Sequence, residues 1–253
     1  MGVSSVEGDG ATVGIGMPLI VNFTVSPTSR SAFEQAAVVT VNGKPAGGAW
    51  FWERVYAGQP VQAHYRTRLY WPAHSKIHVA LPVKGVSAGK GLTFANDLTL
   101  DYNIGASHIS RIDASSLTMR VYSDGKLMKT FPVSLGAAKT PTFSGTKVVM
   151  EKHNPQRMIG PGYNELVPYS VRITLDGEFI HDAYWNTNIG RISTSNGCTN
   201  LTKDDSIWFY NFAQVGDVAE YPNAPGKLMP AWDGYGDWNV SWPTWSAGGA
   251  VGK

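Results

Sequence analysis

Short runs of β-branched and aromatic residues, each closed by a turn dipeptide, recur along this chain and limit what it can fold into. Val38–Val41 stops at Asn42-Gly43, the strand candidate before Lys126 stops at Ser123-Asp124-Gly125, and the one ending at Leu175 stops at Asp176-Gly177. Asn-Gly and Asp-Gly supply the left-handed backbone that two-residue hairpin turns need, so each marks a chain reversal between strands. The 253 residues include 28 Gly and 15 Pro, too many interruptions for long helices. Hydrophobic residues make up 43%, enough for a packed core and too many for disorder. The expected fold class is mainly β.

Two blocks emerge. Between about residues 17 and 104, Met17–Val25, Val38–Val41, Trp50–Tyr56, His64–Leu69 and Lys76–Leu81 read as closely spaced strands, the pattern of a β-sandwich. Ser31-Ala32-Phe33-Glu34 has capping-box spacing and predicts one short helix. The boundary falls near residue 104, giving domains 1–104 and 105–253. In the second block Leu117, Met119 and Val121 share one strand face, and Val171, Ile173 and Leu175 alternate before Glu178–His181 returns. Thr202, with Asp205 three positions on, predicts the start of a helix carrying Ile207, Trp208, Tyr210 and Phe212. The tail from about 225 to 253, with four Trp between Ala231 and Trp245, reads as an ordered strap on the domain before it.

A net charge of +2, with no Lys/Arg run, argues against nucleic acid as a partner. One cysteine excludes an internal disulfide framework and a cysteine-based zinc site; no metal or cofactor is expected. The first residues carry neither a basic stretch nor an apolar one, and no apolar run approaches the roughly 18–20 residues of a membrane span. The protein is expected to be either cytosolic or exported with its signal or anchor absent from this sequence.

That cysteine, Cys198, lies in Ser193-Thr194-Ser195-Asn196-Gly197-Cys198-Thr199-Asn200, just before the helix. Small and amide neighbours suit a turn that presents the side chain, and a helix N-terminus favours thiolate. The N–H groups of Gly197 and Cys198 would be able to face a developing oxyanion. A buried structural cysteine is the other reading, and context alone leaves both open. Among six histidines, His181 ends a strand and lies 17 positions before the cysteine, a spacing that lets a loop bring the two together. The remaining five, at 64, 74, 78, 108 and 153, read as packing, surface, junction or loop residues.

The segment from His181 to Asn200 resembles the signature of the YkuD-type L,D-transpeptidase family: a His, a gap of this length, then Ser/Thr-His-Gly-Cys-x-Asn. Ser195, Gly197, Cys198 and Asn200 match it; Asn196 stands where the family has His. Arg120-Val121-Tyr122, Thr130–Gly136 and Thr140-Pro141-Thr142 resemble the start of the catalytic domain in mycobacterial members. Gly234-Tyr235-Gly236-Asp237-Trp238-Asn239 with Trp242 and Trp245 is similar to their C-terminal extension, and the first block, including Trp71-Pro72-Ala73, to their preceding immunoglobulin-like domain.

The resemblance implies an immunoglobulin-like sandwich followed by a YkuD-type β-sandwich with a short helix after the cysteine. Cys198 would attack the diaminopimelate carbonyl of a peptidoglycan tetrapeptide stem, and the amine of an acceptor stem would resolve the thioester into a 3→3 crosslink. His181 would be the base, oriented by the Asp182 carbonyl or, as a substitute, the Asp182 carboxylate. Residues 151–167 would form a flap over the site, whose Gly160-Pro161-Gly162-Tyr163 punctuation reads as a long irregular loop. Met158, Tyr163, Trp185 and Asn200 would lie near substrate, Asn200 chiefly bonding the loop, with the Tyr163 hydroxyl available to the oxyanion. Carbapenems would be covalent inhibitors, and the location would be extracytoplasmic, in the periplasm or cell wall. Two rivals remain: an L,D-carboxypeptidase using the same residues, and a wall-binding protein whose site has degenerated at Asn196.

Overall fold

The computed structural model describes residues 1–160 and 163–249, which fall into two compact units: Met1–Ala106 together with the chain from Val240 onward, and Ser107–Asn239. The first unit holds two main sheets. One orders Val3–Ser5, Leu19–Phe23, Gln62–Arg66 and Ala49–Glu53; the other orders Thr12–Val13, Leu98–Ile104, Lys76–Leu81, Val38–Val41 and Lys44–Pro45. Asn42 and Gly43 both take positive φ (49° and 77°), as an Asn-Gly hairpin turn requires. Phe33 is the core anchor, its ring 5.1–5.5 Å from those of Phe23, Trp50 and Trp52. The helix Ser31–Ala36 that delivers it forms where expected but without the capping box. Arg30 is the N-cap and gives no side-chain cap, and Glu34 instead accepts from the Trp52 indole at 2.6 Å.

The tail departs from its expected course. Gly236–Asn239 is a 3-10 turn packed in the second unit, where Asn239 bonds both the N–H and the carbonyl of Thr146. From Val240 the chain belongs to the first unit rather than the second. The helix Trp242–Ser246 stacks Trp245 on Phe51 at 4.7 Å, its indole N–H donating to the Ala49 carbonyl at 2.9 Å. Arg66 lies 4.4 Å from the Trp245 ring centroid and donates to the Val240 carbonyl. Two Trp-rich stretches thus serve different cores, which a composition-based strap could not distinguish.

The second unit contains a five-stranded sheet ordered Lys126–Pro132, Thr118–Ser123, His108–Asp113, Val218–Tyr221 and Gly145–Val148. A four-stranded sheet is ordered Glu151–His153, Ser170–Arg172, Phe179–Asp182 and Thr199–Leu201. Met119, Val121, Phe131, Leu135, Val171 and Ile180 are fully buried in a common core; each contributes about 1.5–3 kcal/mol by leaving water. The helix Lys203–Phe212 starts at Thr202, whose hydroxyl accepts from Asp205 N–H at 3.4 Å. Residues 151–167 are not an irregular flap: Gln156–Gly160 pairs antiparallel with Tyr163–Val167 as a hairpin. Pro161 and Gly162, part of the expected loop punctuation, lie outside the described residues. No helix among the described residues is long and apolar enough to cross a membrane.

Candidate active site

The strand Phe179–Asp182 runs parallel to Thr199–Leu201, placing His181 opposite Asn200 and Asp182 opposite Leu201. Every residue of both strands is buried, as parallel strands require, and Phe209 of the helix joins the core they share. Residues 183–198 form the crossover between them. Its return is pinned on the neighbouring segment: Ser195 N–H donates to the Leu135 carbonyl at 3.0 Å, and the Thr142 hydroxyl to the Gly197 carbonyl at 2.7 Å. The Ser195 hydroxyl closes the turn on the Cys198 carbonyl at 2.6 Å. Gly197 has φ 113°, a conformation that favours glycine.

Cys198 is 9% exposed, so the turn does not present it openly. Nor does it start the helix: the strand Thr199–Leu201 intervenes, and the helix dipole falls off within one turn. The thiol is held from behind, donating to the Gly177 carbonyl at 3.7 Å and accepting from the Phe179 N–H. Burial pushes it up to about 11; the Phe179 N–H opposes that rise and the Glu178 carboxylate adds to it. Gly197 N–H, expected to face an oxyanion, donates to the Ser195 hydroxyl at 3.2 Å instead.

His181 is 3% exposed, and its Nδ1 lies 2.6 Å from the carbonyl oxygen of Asp182. A carbonyl only accepts, so the proton sits on Nδ1 and the Nε2 lone pair is left to receive another. Asn200 Nδ2 approaches Nε2 at 3.1 Å, and the Asn200 side-chain oxygen Oδ1 accepts from Asn186 Nδ2 at 3.0 Å. Asn200 N–H and carbonyl both pair with Ser134. Burial pulls the imidazole down to about 4 against the lift from the Asp182 carbonyl. It is the carbonyl of Asp182 and not its carboxylate that touches the ring; the carboxylate is buried, burial raises it, and Tyr184 N–H and Lys203 oppose the rise.

His181 and Cys198 line one cleft of about 610 Å³ together with Met158, Tyr163, Trp185, Ser195, Asn196 and Asn200. Asp182 and Gly197 do not line it. Trp185 is half exposed with its ring 6.1 Å from His181, and Tyr163 is 36% exposed on the hairpin. Among the described residues no three metal-ligating side chains converge in the cleft.

Sequence reasoning did not find Asn186, Thr194 and Tyr184, which also line the cleft. It also missed the buried Lys147–Glu178 ion pair behind it. A signal for the pair existed: Lys147 interrupts the β-branched run Thr146–Val149, and Glu178 directly precedes an apolar strand.

A bacterial immunoglobulin-like domain followed by an L,D-transpeptidase catalytic domain is the class these features define: family descriptions of the first match residues 1–87 and of the second 107–222. The chain belongs to the L,D-transpeptidase family. L,D-transpeptidase 1 of Mycobacterium tuberculosis (strain H37Rv) is 30% identical over 232 residues, covering 87% of this chain and 84% of that protein. L,D-transpeptidase 2 of the same species (strain CDC 1551 / Oshkosh) is 30% identical over 256 residues, 97% of this chain; the chain spans 61% of that protein's length. A solved L,D-transpeptidase in complex with imipenem superposes with a TM-score of 0.73 at 28% identity, over 87% of this chain and 98% of that one.

Proposed function

We propose that the chain is a peptidoglycan L,D-transpeptidase, a transferase that forms 3→3 crosslinks through a Cys198 thioester. The observation that carries the reading is the parallel register setting His181 beside Asn200, with Cys198 two residues before Asn200 and lining the same cleft. The thiol near 11 and the imidazole near 4 are both neutral at rest. Proton transfer therefore accompanies formation of the S–C bond, as general-base catalysis.

In that step Cys198 leaves the Gly177 carbonyl and attacks the diaminopimelate carbonyl of a donor tetrapeptide, while Nε2, released by Asn200, takes the thiol proton. The Asp182 carbonyl stabilises the imidazolium that results. The tetrahedral oxyanion meets the Tyr163 hydroxyl and the Cys198 N–H; on collapse the imidazolium protonates the departing D-alanine amine. An acceptor stem's diaminopimelate amine then attacks the thioester, gives its proton to His181, and releases the thiol. Met158 and Trp185 pack the stems, and Asn200 holds the loop.

The first domain is read as a spacer or wall-contacting module before the catalytic domain. Stem peptides lie outside the cytoplasm, so the working location is the periplasm or cell wall. Imipenem in the solved relative supports carbapenems as covalent inhibitors of this chain.

Intact-mass analysis after carbapenem exposure tests the nucleophile: one adduct is expected on the wild type and none on Cys198→Ala. The same adduct on the variant would sink the assignment. Incubation with disaccharide-tetrapeptide is expected to yield 3→3 dimer; tripeptide alone would make the enzyme a carboxypeptidase.

A further inference from the structure

Behind the cleft, the buried Lys147–Glu178 pair lies against the loop that carries the thiol. Lys147, in the strand Gly145–Val148, has no solvent exposure; its ammonium pairs with Glu178 Oε2 and sits 3.8 Å from the Tyr221 ring centroid. Tyr221 in turn bonds Thr199, the residue after Cys198, at 2.8 Å. Glu178 Oε1 accepts from Phe143 N–H at 2.8 Å, and a methyl group placed on Gly197 would come 3.4 Å from it. Glu178 also stands between the two residues that grip the sulfur, Gly177 through its carbonyl and Phe179 through its N–H.

A buried ion pair is a poor stabiliser, since apolar residues of similar volume commonly do as well or better. Its place against Cys198 calls for another reason. We propose that Lys147 and Glu178 are positioning residues that set the reactivity of Cys198 from behind. Lys147 is the fixed cation toward which negative charge develops on sulfur, and Glu178 the opposing anion that keeps the resting thiol protonated. The role in catalysis rests on Cys198 being the nucleophile.

The surroundings agree in sign. Glu178 disfavours the thiolate, while Lys147 and Arg172 favour it. Burial lowers Lys147 and raises Glu178, and each charge counters the other's shift. Tyr221 and Asp233 also feel this group of charges, and His181 lines the same cleft as Cys198. Arg172 is tied to Glu151 at 2.8 Å and to the Thr174 and Leu175 carbonyls. Substituting Lys147 or Glu178 leaves those ties intact.

The test is the rate of iodoacetamide alkylation of the full chain between pH 7.5 and 9.5, read by intact mass; the single cysteine makes the adduct unambiguous. Below the thiol's midpoint the rate follows the thiolate fraction, and a one-unit displacement is about tenfold. Glu178→Gln is expected to alkylate roughly tenfold faster than wild type and Lys147→Met roughly tenfold slower. Opposite signs are the diagnostic result, because loosening of the fold would expose the thiol and speed both. Unchanged rates, or two changes of the same sign, would overturn the proposal. If Glu178→Gln lacks native near-UV circular dichroism, Lys147→Met/Glu178→Gln is compared with Lys147→Met. The double variant must react faster, and equal rates overturn the proposal. Alkylation needs no transferase activity, so opposite shifts without carbapenem labelling would refute the proposed function and leave the pair's effect on the thiol standing.

Discussion

Acidification should destabilise this protein through His181, by an amount its burial fixes. The imidazole titrates near 4 in the folded chain and near the ordinary 6.5 when unfolded. Below 6.5 the unfolded chain therefore takes up a proton that the folded chain refuses. Stability is unaffected above 6.5, falls as the pH drops toward 4, and levels off below that. Between pH 7 and 4.5 the loss is about 2.5 kcal/mol, rising to about 3.4 kcal/mol when complete. Against a typical domain stability of about 5–15 kcal/mol that is a large change. The assay is urea unfolding of wild type and His181→Gln at pH 7.0, 6.0, 5.0 and 4.5, followed by near-UV circular dichroism. The variant starts lower because it loses bonds to Asp182 and Asn200, but it lacks this titration. The stability difference between the two should shrink by about 2.5 kcal/mol over the series. A constant difference would mean that His181 titrates normally in the fold, and the neutral resting base would have to be abandoned.

Cys198 gives the mirror result in alkali: its thiol is raised to about 11, so the unfolded thiol ionises first and stability is lost as pH climbs from 9 toward 11. Urea unfolding at pH 8 and 10.5 should show about 2 kcal/mol of loss in wild type that Cys198→Ala lacks. Asp182→Asn should keep carbapenem acylation within about threefold of wild type, because the backbone carbonyl orients the ring; a hundredfold fall in acylation rate would give that role to the carboxylate. Gly197→Ala should destabilise the second unit by about 1–2 kcal/mol in thermal melts, since a side chain is strained at φ 113°. An unchanged melting temperature would show that the turn relaxes freely.

What could be read in advance was local chemistry. Asn42-Gly43 and Asp124-Gly125 marked their turns because positive φ at both positions is a property of the dipeptide itself. Thr202 marked the helix start because capping needs only the next three residues. The failures share the opposite trait. Ser31-x-x-Glu34 looked like a cap, yet Trp52 from another strand claims the carboxylate. Ser195, Asn196 and Gly197 looked like a presenting turn, yet the strand at 199–201 draws Cys198 inward to the Gly177 and Phe179 backbone. The tail was split between two cores by Asn239 gripping Thr146 and Trp245 lying on Phe51, contacts between residues some 90 and 190 positions apart.

The same distinction separates two parts of the site. His181, Gly197 and Cys198 were legible as a motif because spacing records which residues the chain must bring together. The state of those residues at rest was not, because it depends on burial and on charges from distant strands. A thiol at a helix N-terminus would be poised as thiolate; one held between Gly177 and Phe179, with Glu178 behind it, stays protonated. In the proposed mechanism, that would shift part of the barrier from the nucleophile's own ionisation to proton transfer during attack, and Nε2 would have to be released by Asn200. Selectivity can then arise from which substrates displace those hydrogen bonds, as well as from how well the cleft fits them.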